Sequence, residues 1–286
     1  MRGYRASPLN NRGSVLLISL WATATLAALE ITQATQVSLE LKWGGRLQEE
    51  RQAWYLAWTG VELAQKLLSL DNPAWDAPVE RWGQVSKEPI PFGPGTFRYR
   101  ILDEQAKIPL NTAPREVLLR LPGFRPDVVD KLLSQRTQPE PKQITHLAEL
   151  LVVGVESRFL PELEPLVSVQ SVRPVNINTA SSSVLQILGF SPQLAARIVQ
   201  YRFGPDGTWG TSDDRIFDDA QKIVSVLNEQ FGPLVAEDQQ VEPLLLGVSS
   251  SLFRVETEGW TTRHGVRKKA VALLDRAGTV RGWHED

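Results

Sequence analysis

The sequence predicts an α+β protein: a long amino-terminal helix packed on an antiparallel sheet, with an inserted all-α domain of two helix-hairpin-helix-like repeats. Three observations carry this prediction. An uncharged apolar run near the amino terminus passes directly into a longer amphipathic pattern. A segment beginning Asn111-Thr112-Ala113 recurs as Asn178-Thr179-Ala180. Strand-like alternation lies on both sides of that repeat.

The amino-terminal element comes first. A basic leader (Arg2, Arg5, Arg12) meets Gly13, and Ser14 to Leu29 then run sixteen residues without a charge, the first acid being Glu30. A membrane-spanning helix wants ~20 apolar residues, so the span borrows Ile31 to Val37. Three readings compete. A secretory signal would place its apolar region at Val15–Trp21 and its cleavage site at Ala22-Thr23-Ala24. An uncleaved anchor is the second. The third is a type IV prepilin leader, cut between Gly13 and Ser14 so that the apolar helix stays on the mature protein. The third is preferred, because the glycine joins the basic leader to the start of the run, whereas a secretory site follows the run. Helical composition also continues well beyond it. Leu47, Trp54, Trp58, Val61, Ala64 and Leu68 fall at three- and four-residue spacings, one stripe of an amphipathic helix. Gly44-Gly45 marks an expected kink between the two parts.

The central repeat pairs residues at an offset of 67 up to the glycine and 66 after it. Val117-Leu118, Leu121-Pro122-Gly123-Phe124-Arg125-Pro126 and Arg136 match Val184-Leu185, Leu188-Gly189-Phe190-Ser191-Pro192 and Arg202. Coincidence of spacing and residue type identifies an internal repeat. Each unit reads as two short helices joined by a glycine turn. Thr112 or Thr179 is expected to cap the first helix, Gly123 or Gly189 to end it, and Pro126 or Pro192 to open the second. Such hairpins can aim backbone N–H groups at a phosphate. Basic reinforcement is thin here, with Arg125 beside Asp127 and no positive charge near the second turn until Arg197, so nucleic acid is disfavoured as a partner.

After the second hairpin comes Gly204-Pro205-Asp206-Gly207-Thr208-Trp209-Gly210-Thr211-Ser212-Asp213-Asp214, followed by Asp218 and Asp219. Close-set aspartates, backbone carbonyls and glycines are what a calcium loop supplies, and the EF-hand pattern is absent. The loop is read as holding a structural calcium ion, with Asp206, Asp213 and Asp214 as ligands and Asp218 or Asp219 supplementing them. The competing reading is a glycine-rich turn whose Ser212 or Asp213 caps the helix running from Asp218 to Leu227.

Thr96–Asp103, Leu252–Gly259 and Val266–Leu274 alternate as half-buried strands, and Val280–His284 adds a short edge. The prolines of 71–95 read as a connecting loop. The boundaries that follow are 1–13 leader, 14–70 helix, 71–110 loop and first strands, 111–245 helical insertion, and 246–286 closing strands.

Composition narrows the chemistry. A chain of 286 residues with 42% hydrophobic and 22% charged residues has ordinary globular content, enough for one large domain or two smaller ones. Its formal net charge of −2 gives no general attraction to phosphate or anionic lipid. Cysteine is absent, which removes disulfides, thiolate nucleophiles and cysteine zinc sites. His146, His264 and His284 stand far apart. Ser181–Ser183 and Ser249–Ser251 have no neighbouring histidine, and no lysine-bearing phosphate loop occurs. Successive residues of a strand point to opposite faces, so Asp103-Glu104 does not read as a catalytic pair. An enzyme is the least supported class.

Arg12-Gly13 followed by Val15–Trp21, Asp103-Glu104-Gln105-Ala106-Lys107-Ile108-Pro109-Leu110-Asn111-Thr112-Ala113, and Val175-Asn176-Ile177-Asn178-Thr179-Ala180 together resemble the K-type minor pseudopilin family of type II secretion systems (general secretion pathway protein K). The resemblance covers nearly the whole chain. Most pilins carry glutamate at the fifth mature position, where this chain has Ile18. The K type is exempt from that rule, as fits a subunit with nothing above it in the filament. The resemblance implies a prepilin-peptidase substrate, single-pass in the bacterial inner membrane, with a periplasmic head containing calcium. It also implies a cap on the pseudopilus, alongside I- and J-type minor pseudopilins and above the major pseudopilin. The exposed helical stripe is the expected partner surface. The alternative is a membrane-anchored helix-hairpin-helix protein that handles DNA, as in competence systems.

Overall fold

The computed structural model describes residues 11–71, 74–84, 88–170, 174–233, 243–263 and 265–285. The leader residues 1–10, with Arg2 and Arg5, and His264 lie outside the described residues. The chain forms two units, Met1–Gln52 and Ala53–Asp286.

Helix α1 (Asn11–Ser69) includes Gly13 and runs through Gly44 and Gly45, so the glycine pair does not interrupt it. Within the first unit its apolar side chains, among them Val15, Leu16, Ile18 and Trp21, are exposed. Polar side chains there look after themselves. Ser19, Thr23, Thr25, Thr32 and Thr35 each donate to a carbonyl three or four residues back, as hydroxyls on an apolar helix do when no water is at hand.

In the second unit, β1 (Ile90–Phe92), β2 (Gly95–Asp103) and β3 (Ile108–Pro109) come first. Helices α2 (Arg115–Leu118), α3 (Pro126–Arg136), α4 (Leu150–Val153) and α5 (Leu160–Leu163) lead to β4 (Val167–Ser168). Then β5 (Val175–Asn176), α6 (Ser182–Leu188), α7 (Pro192–Arg202) and α8 (Ile223–Phe231) lead to β6 (Leu246–Gly247). The chain closes with β7 (Leu252–Thr261), β8 (Arg267–Asp275) and β9 (Val280–Glu285).

The main sheet is antiparallel throughout, in the order β1-β2-β7-β8-β9. Alternation in β2 and β7 turns Phe97, Tyr99, Ile101, Phe253 and Val255 to one face, where they pack with Leu56, Val61, Ala64 and Leu68 of α1. A Cβ added at Gly60 would lie 2.8 Å from the Thr257 methyl, so the helix rests close on the sheet. Strand β1 corrects the expectation of an unbroken loop over 71–95. Pro91 cannot donate to a ladder, and the strand sits at the sheet edge where that omission costs little.

The helical repeats form a second core, built around Leu118, Leu132, Leu150, Leu163, Leu185, Ile198 and Phe217. Each repeat extends further than the hairpin legible in the sequence. Strand β3 pairs in parallel with β4, and β5 pairs in parallel with β6, so each unit opens and closes on its own two-stranded ladder. The asparagines lock this closure. Asn111 accepts from the Ile144 N–H (2.9 Å) and donates to the carbonyls of Ile144 (2.8 Å) and Val169 (2.9 Å). Asn178 accepts from the Phe217 N–H (2.8 Å) and donates to the carbonyls of Phe217 (2.9 Å) and Val248 (3.4 Å). Arg136 donates to the carbonyls of Ala113 and Leu110, and Arg202 to those of Ala180 and Ile177, the same two positions of each turn.

The caps differ from expectation. Pro114 precedes α2 and offers no side-chain bond, while Ser181 caps α6 by accepting from the Val184 N–H. Thr112 donates back to the Pro109 carbonyl and Thr179 to the Asp103 carboxylate instead. Buried asparagines hold the turn, which leaves the following threonine outside the cap position. Gly189 ends α6 at φ 118°, and Gly123 (φ 75°) lies in a turn beyond the single-turn α2.

Candidate functional site

Where β2 ends, the sheet and the helical repeats are joined by a buried polar network. Asp103, at the last position of β2, caps the turn Glu104–Ala106 through the Gln105 N–H (2.8 Å). Its other oxygen accepts from Ser250 Oγ (2.6 Å), Thr179 Oγ1 (2.5 Å) and Asn176 Nδ2 (3.0 Å). Asp76 accepts from the Ser250 N–H (2.6 Å) and pairs with Arg276, whose guanidinium also meets Asp71 at 3.1 Å and the Ser250 carbonyl at 3.0 Å. Five chain segments meet here, so the network fixes the repeats to the sheet. Sequence reading left Asp103 without a role and missed Asp71, Asp76 and Arg276. The only signal was the polar cluster Asp103-Glu104-Gln105 at the end of an apolar alternation.

Burial dominates the electrostatics. It pushes the Asp76 carboxyl up to about 6, against the Ser250 N–H and Arg276, and raises that of Asp103 against its four hydrogen-bond donors. Glu80 accepts from the Ala77 N–H and Trp82 Nε1. Burial and the neighbouring Asp71 push it up to about 8. Asp71, Asp76 and Glu80 each bring a carboxylate oxygen within 4.8 Å of the others, the one such grouping of ligand atoms among the described residues. Arg276 supplies positive charge to two of them, so the cluster is an ion-paired joint.

The acidic loop is placed differently. Gly204, Gly207 and Gly210 all take positive φ, giving the tight curvature expected. Asp213 accepts from the Asp206 N–H (3.0 Å) and Thr211 Oγ1 (2.6 Å), and Asp214 from the Gly210 N–H (2.7 Å). Asp206 accepts from the Thr208 N–H. Asp219 caps the turn Ala220–Lys222 and pairs with Lys222 at 3.1 Å, taking the capping role considered for Ser212 or Asp213. Asp218 makes no hydrogen bond among the described residues and acts on Lys222 through charge alone. The loop carboxylates are thus engaged with the loop's own donors.

Gly13 and Ser14 lie inside α1, at the start of the exposed apolar stretch. From Ser14 the helix is long and apolar enough to cross a membrane, with a mean hydropathy of 1.8 in its best window, compatible with single-pass anchoring. Further along, the structure revises the partner surface. Val61, Ala64 and Leu68 are fully buried against the sheet, and Trp54 and Trp58 stack on each other and meet Trp283 of β9. In the second unit the sheet has taken the apolar stripe, whose exposed remnant is Leu47 in the first unit, while Tyr55, Glu62 and Lys66 on the opposite face are exposed.

A solved structure is similar over most of the chain: the GspK-GspI-GspJ complex of the Type 2 Secretion System from enterotoxigenic Escherichia coli. The match has a TM-score of 0.61 at 18% identity, and covers 85% of this chain and 99% of that chain. The two chains share one fold. The likeness fits the K-type resemblance carried by the sequence, and it joins a long amino-terminal helix, an antiparallel sheet and further helices in one pilin-like α+β architecture. No protein-family model and no curated protein matches the sequence.

Proposed function

We propose that the chain is a K-type minor pseudopilin that caps the type II secretion pseudopilus and so supports protein export across the outer membrane. The shared fold with a subunit of a minor pseudopilin complex is the observation that carries this reading. On it, prepilin peptidase cuts between Gly13 and Ser14, α1 anchors the protein in the inner membrane, and the head stands in the periplasm. The I- and J-type minor pseudopilins and the major pseudopilin are its partners, and the role is structural, not enzymatic. Calcium held by the Asp206–Asp219 loop belongs to the same proposal, supported by the loop's composition and glycine geometry.

Capping has a physical basis. Exposed apolar helices associate in lipid by packing and interhelical hydrogen bonds. Ile18 gives an incoming subunit's amino terminus no carboxylate to pair with, and a helical domain inserted into the sheet obstructs addition above. The DNA alternative loses ground on geometry. A Cβ at Gly123 would fall 2.4 Å from the Phe159 ring, and Arg120 donates to the Ile187 carbonyl beside Gly189, so both hairpin turns are occupied from within.

Two measurements test the reading. The intact mass of membrane-extracted protein should place Ser14 first, and an uncut Met1 would overturn the prepilin assignment. The mature protein in detergent should retain purified I- and J-type pseudopilins, and failure to retain either would overturn the partner assignment.

A further inference from the structure

Strand β9 closes the sheet on the side away from β1, and only its inner side is paired, with β8. A bulge lies at its Val280 end, so residues 282–285 form the regular part of this edge. Gly282, Trp283, His284 and Glu285 are all exposed. Gly282 has no side chain, so its exposure is that of the backbone itself. In an antiparallel ladder, N–H and C=O groups of alternate residues point to opposite sides. Half of those on 282–285 therefore turn outward, where no described residue hydrogen-bonds to them. A free edge of this kind is a template for another strand.

Direction and surface chemistry select the occupant. A Cβ added at Gly95 would meet Leu56, and one added at Gly60 would meet Tyr99, so α1 runs along β2. Two copies joined β9 to β9 by a two-fold axis pair antiparallel, and that axis, normal to the sheet, turns one α1 end for end. Helices anchored in one membrane must enter it from the same side, which rules out a second copy. On the strand itself, Trp283 packs on Trp54 and Trp58 yet is 52% exposed. Trp283 pairs with Ala272 and Glu285 with Ala270, alternate residues of β8, so both side chains lie on the α1 face. Arg281 is held by Asp275 at 2.8 Å, whereas Glu285 has no ion pair among the described residues. We infer that the β9 edge receives an extended segment of a different polypeptide as an added strand, with an apolar side chain against Trp283 and a basic one facing Glu285. Backbone hydrogen bonds supply the affinity, and the two side chains supply preference and register. The exclusion of a second copy rests on the single-pass anchoring proposed above; the binding does not, so either can fail alone.

Synthetic peptides test it against the full-length protein in detergent. One alternates Thr and Val with Lys in place of the central Val, and a second carries Glu there. The Lys peptide is also methylated on every second backbone nitrogen, in both phases. Calorimetry should show the Lys peptide binding about tenfold more tightly than the Glu peptide, as attraction to Glu285 gives way to repulsion. One methylation phase should abolish binding and the other leave it, because only alternate nitrogens face β9. Hydrogen exchange should slow at amides within 282–285. Glu285→Lys should reverse the preference towards Glu. No binding, indifference to methylation phase, or protection elsewhere in the chain would each overturn the inference. So would protection of 282–285 that grows with protein concentration in the absence of peptide, the mark of a second copy on the edge.

Discussion

Gly259 of β7 and Ala57 of α1 meet backbone to backbone: a Cβ added at Gly259 would lie 2.3 Å from the Ala57 nitrogen, and 2.4 Å from the Ala53 carbonyl oxygen. Neither the strand nor the helix backbone can move aside as a flexible side chain would. Gly259→Ala should therefore destabilise the head by about 1–3 kcal/mol through overpacking. Gly282→Ala on β9, where nothing lies within 4 Å, should change stability by less than about 0.5 kcal/mol. Urea unfolding of the two variants side by side checks the contrast.

Arg202 is 3% exposed, and burial lowers its pKa to about 9, whereas Arg136 in the first repeat is only half-buried. Each bridges the equivalent pair of carbonyls in its own turn. Arg202→Leu strands the Ile177 and Ala180 carbonyls away from water, at a cost of about 1–3 kcal/mol. Arg136→Leu should cost less, since its side chain is only half-buried. Arg202→Lys should recover little, because an ammonium lacks the planar fork that spans two acceptors.

Stability should fall as pH rises from about 5 to about 8. Asp76 and Glu80 have folded-state pKa values raised to about 6 and about 8. In that window the native state binds more protons than the unfolded chain, so their contribution is complete at low pH and lost on passing the folded values. Glu80→Gln removes the later part of that loss. Its melting temperature, compared with the parent protein's, should gain relative ground between about pH 6 and about pH 8. Parallel profiles would refute the assignment.

Calcium at millimolar concentration should raise the melting temperature through the acidic loop by ligand linkage. Asp213 and Asp214 also bond the loop's own donors, so Asp213→Ala with Asp214→Ala should lower the baseline as well. The diagnostic quantity is the calcium-dependent increment, which should vanish in the double variant. An increment that survives would place the ion elsewhere.

The elements legible in the sequence are those whose pattern is local. Alternation in Thr96–Asp103 and Leu252–Gly259 found β2 and β7, because one face of each is buried by α1 and the other is not. Asparagine, glycine and proline punctuation found the two hairpins. Strands β4 and β6, two residues each, are too short to carry a period, so the closure of each repeat stayed hidden. The junction network was illegible for a different reason: Arg276 lies 205 positions from Asp71, and nothing in either neighbourhood names the other. Prolines concealed β1, since an edge strand tolerates what an inner strand does not. The threonine caps were misplaced because the adjacent asparagines spend their amides on tertiary closure.

Asp103 and Phe253 face each other across the β2–β7 ladder, and the two helical repeats run between them in the chain. Topologically the repeats are a hairpin turn grown to the size of a domain. The sheet needs from that turn only that its ends return to neighbouring places, so what the repeats carry outward can change in evolution while the strand register beneath stays the same.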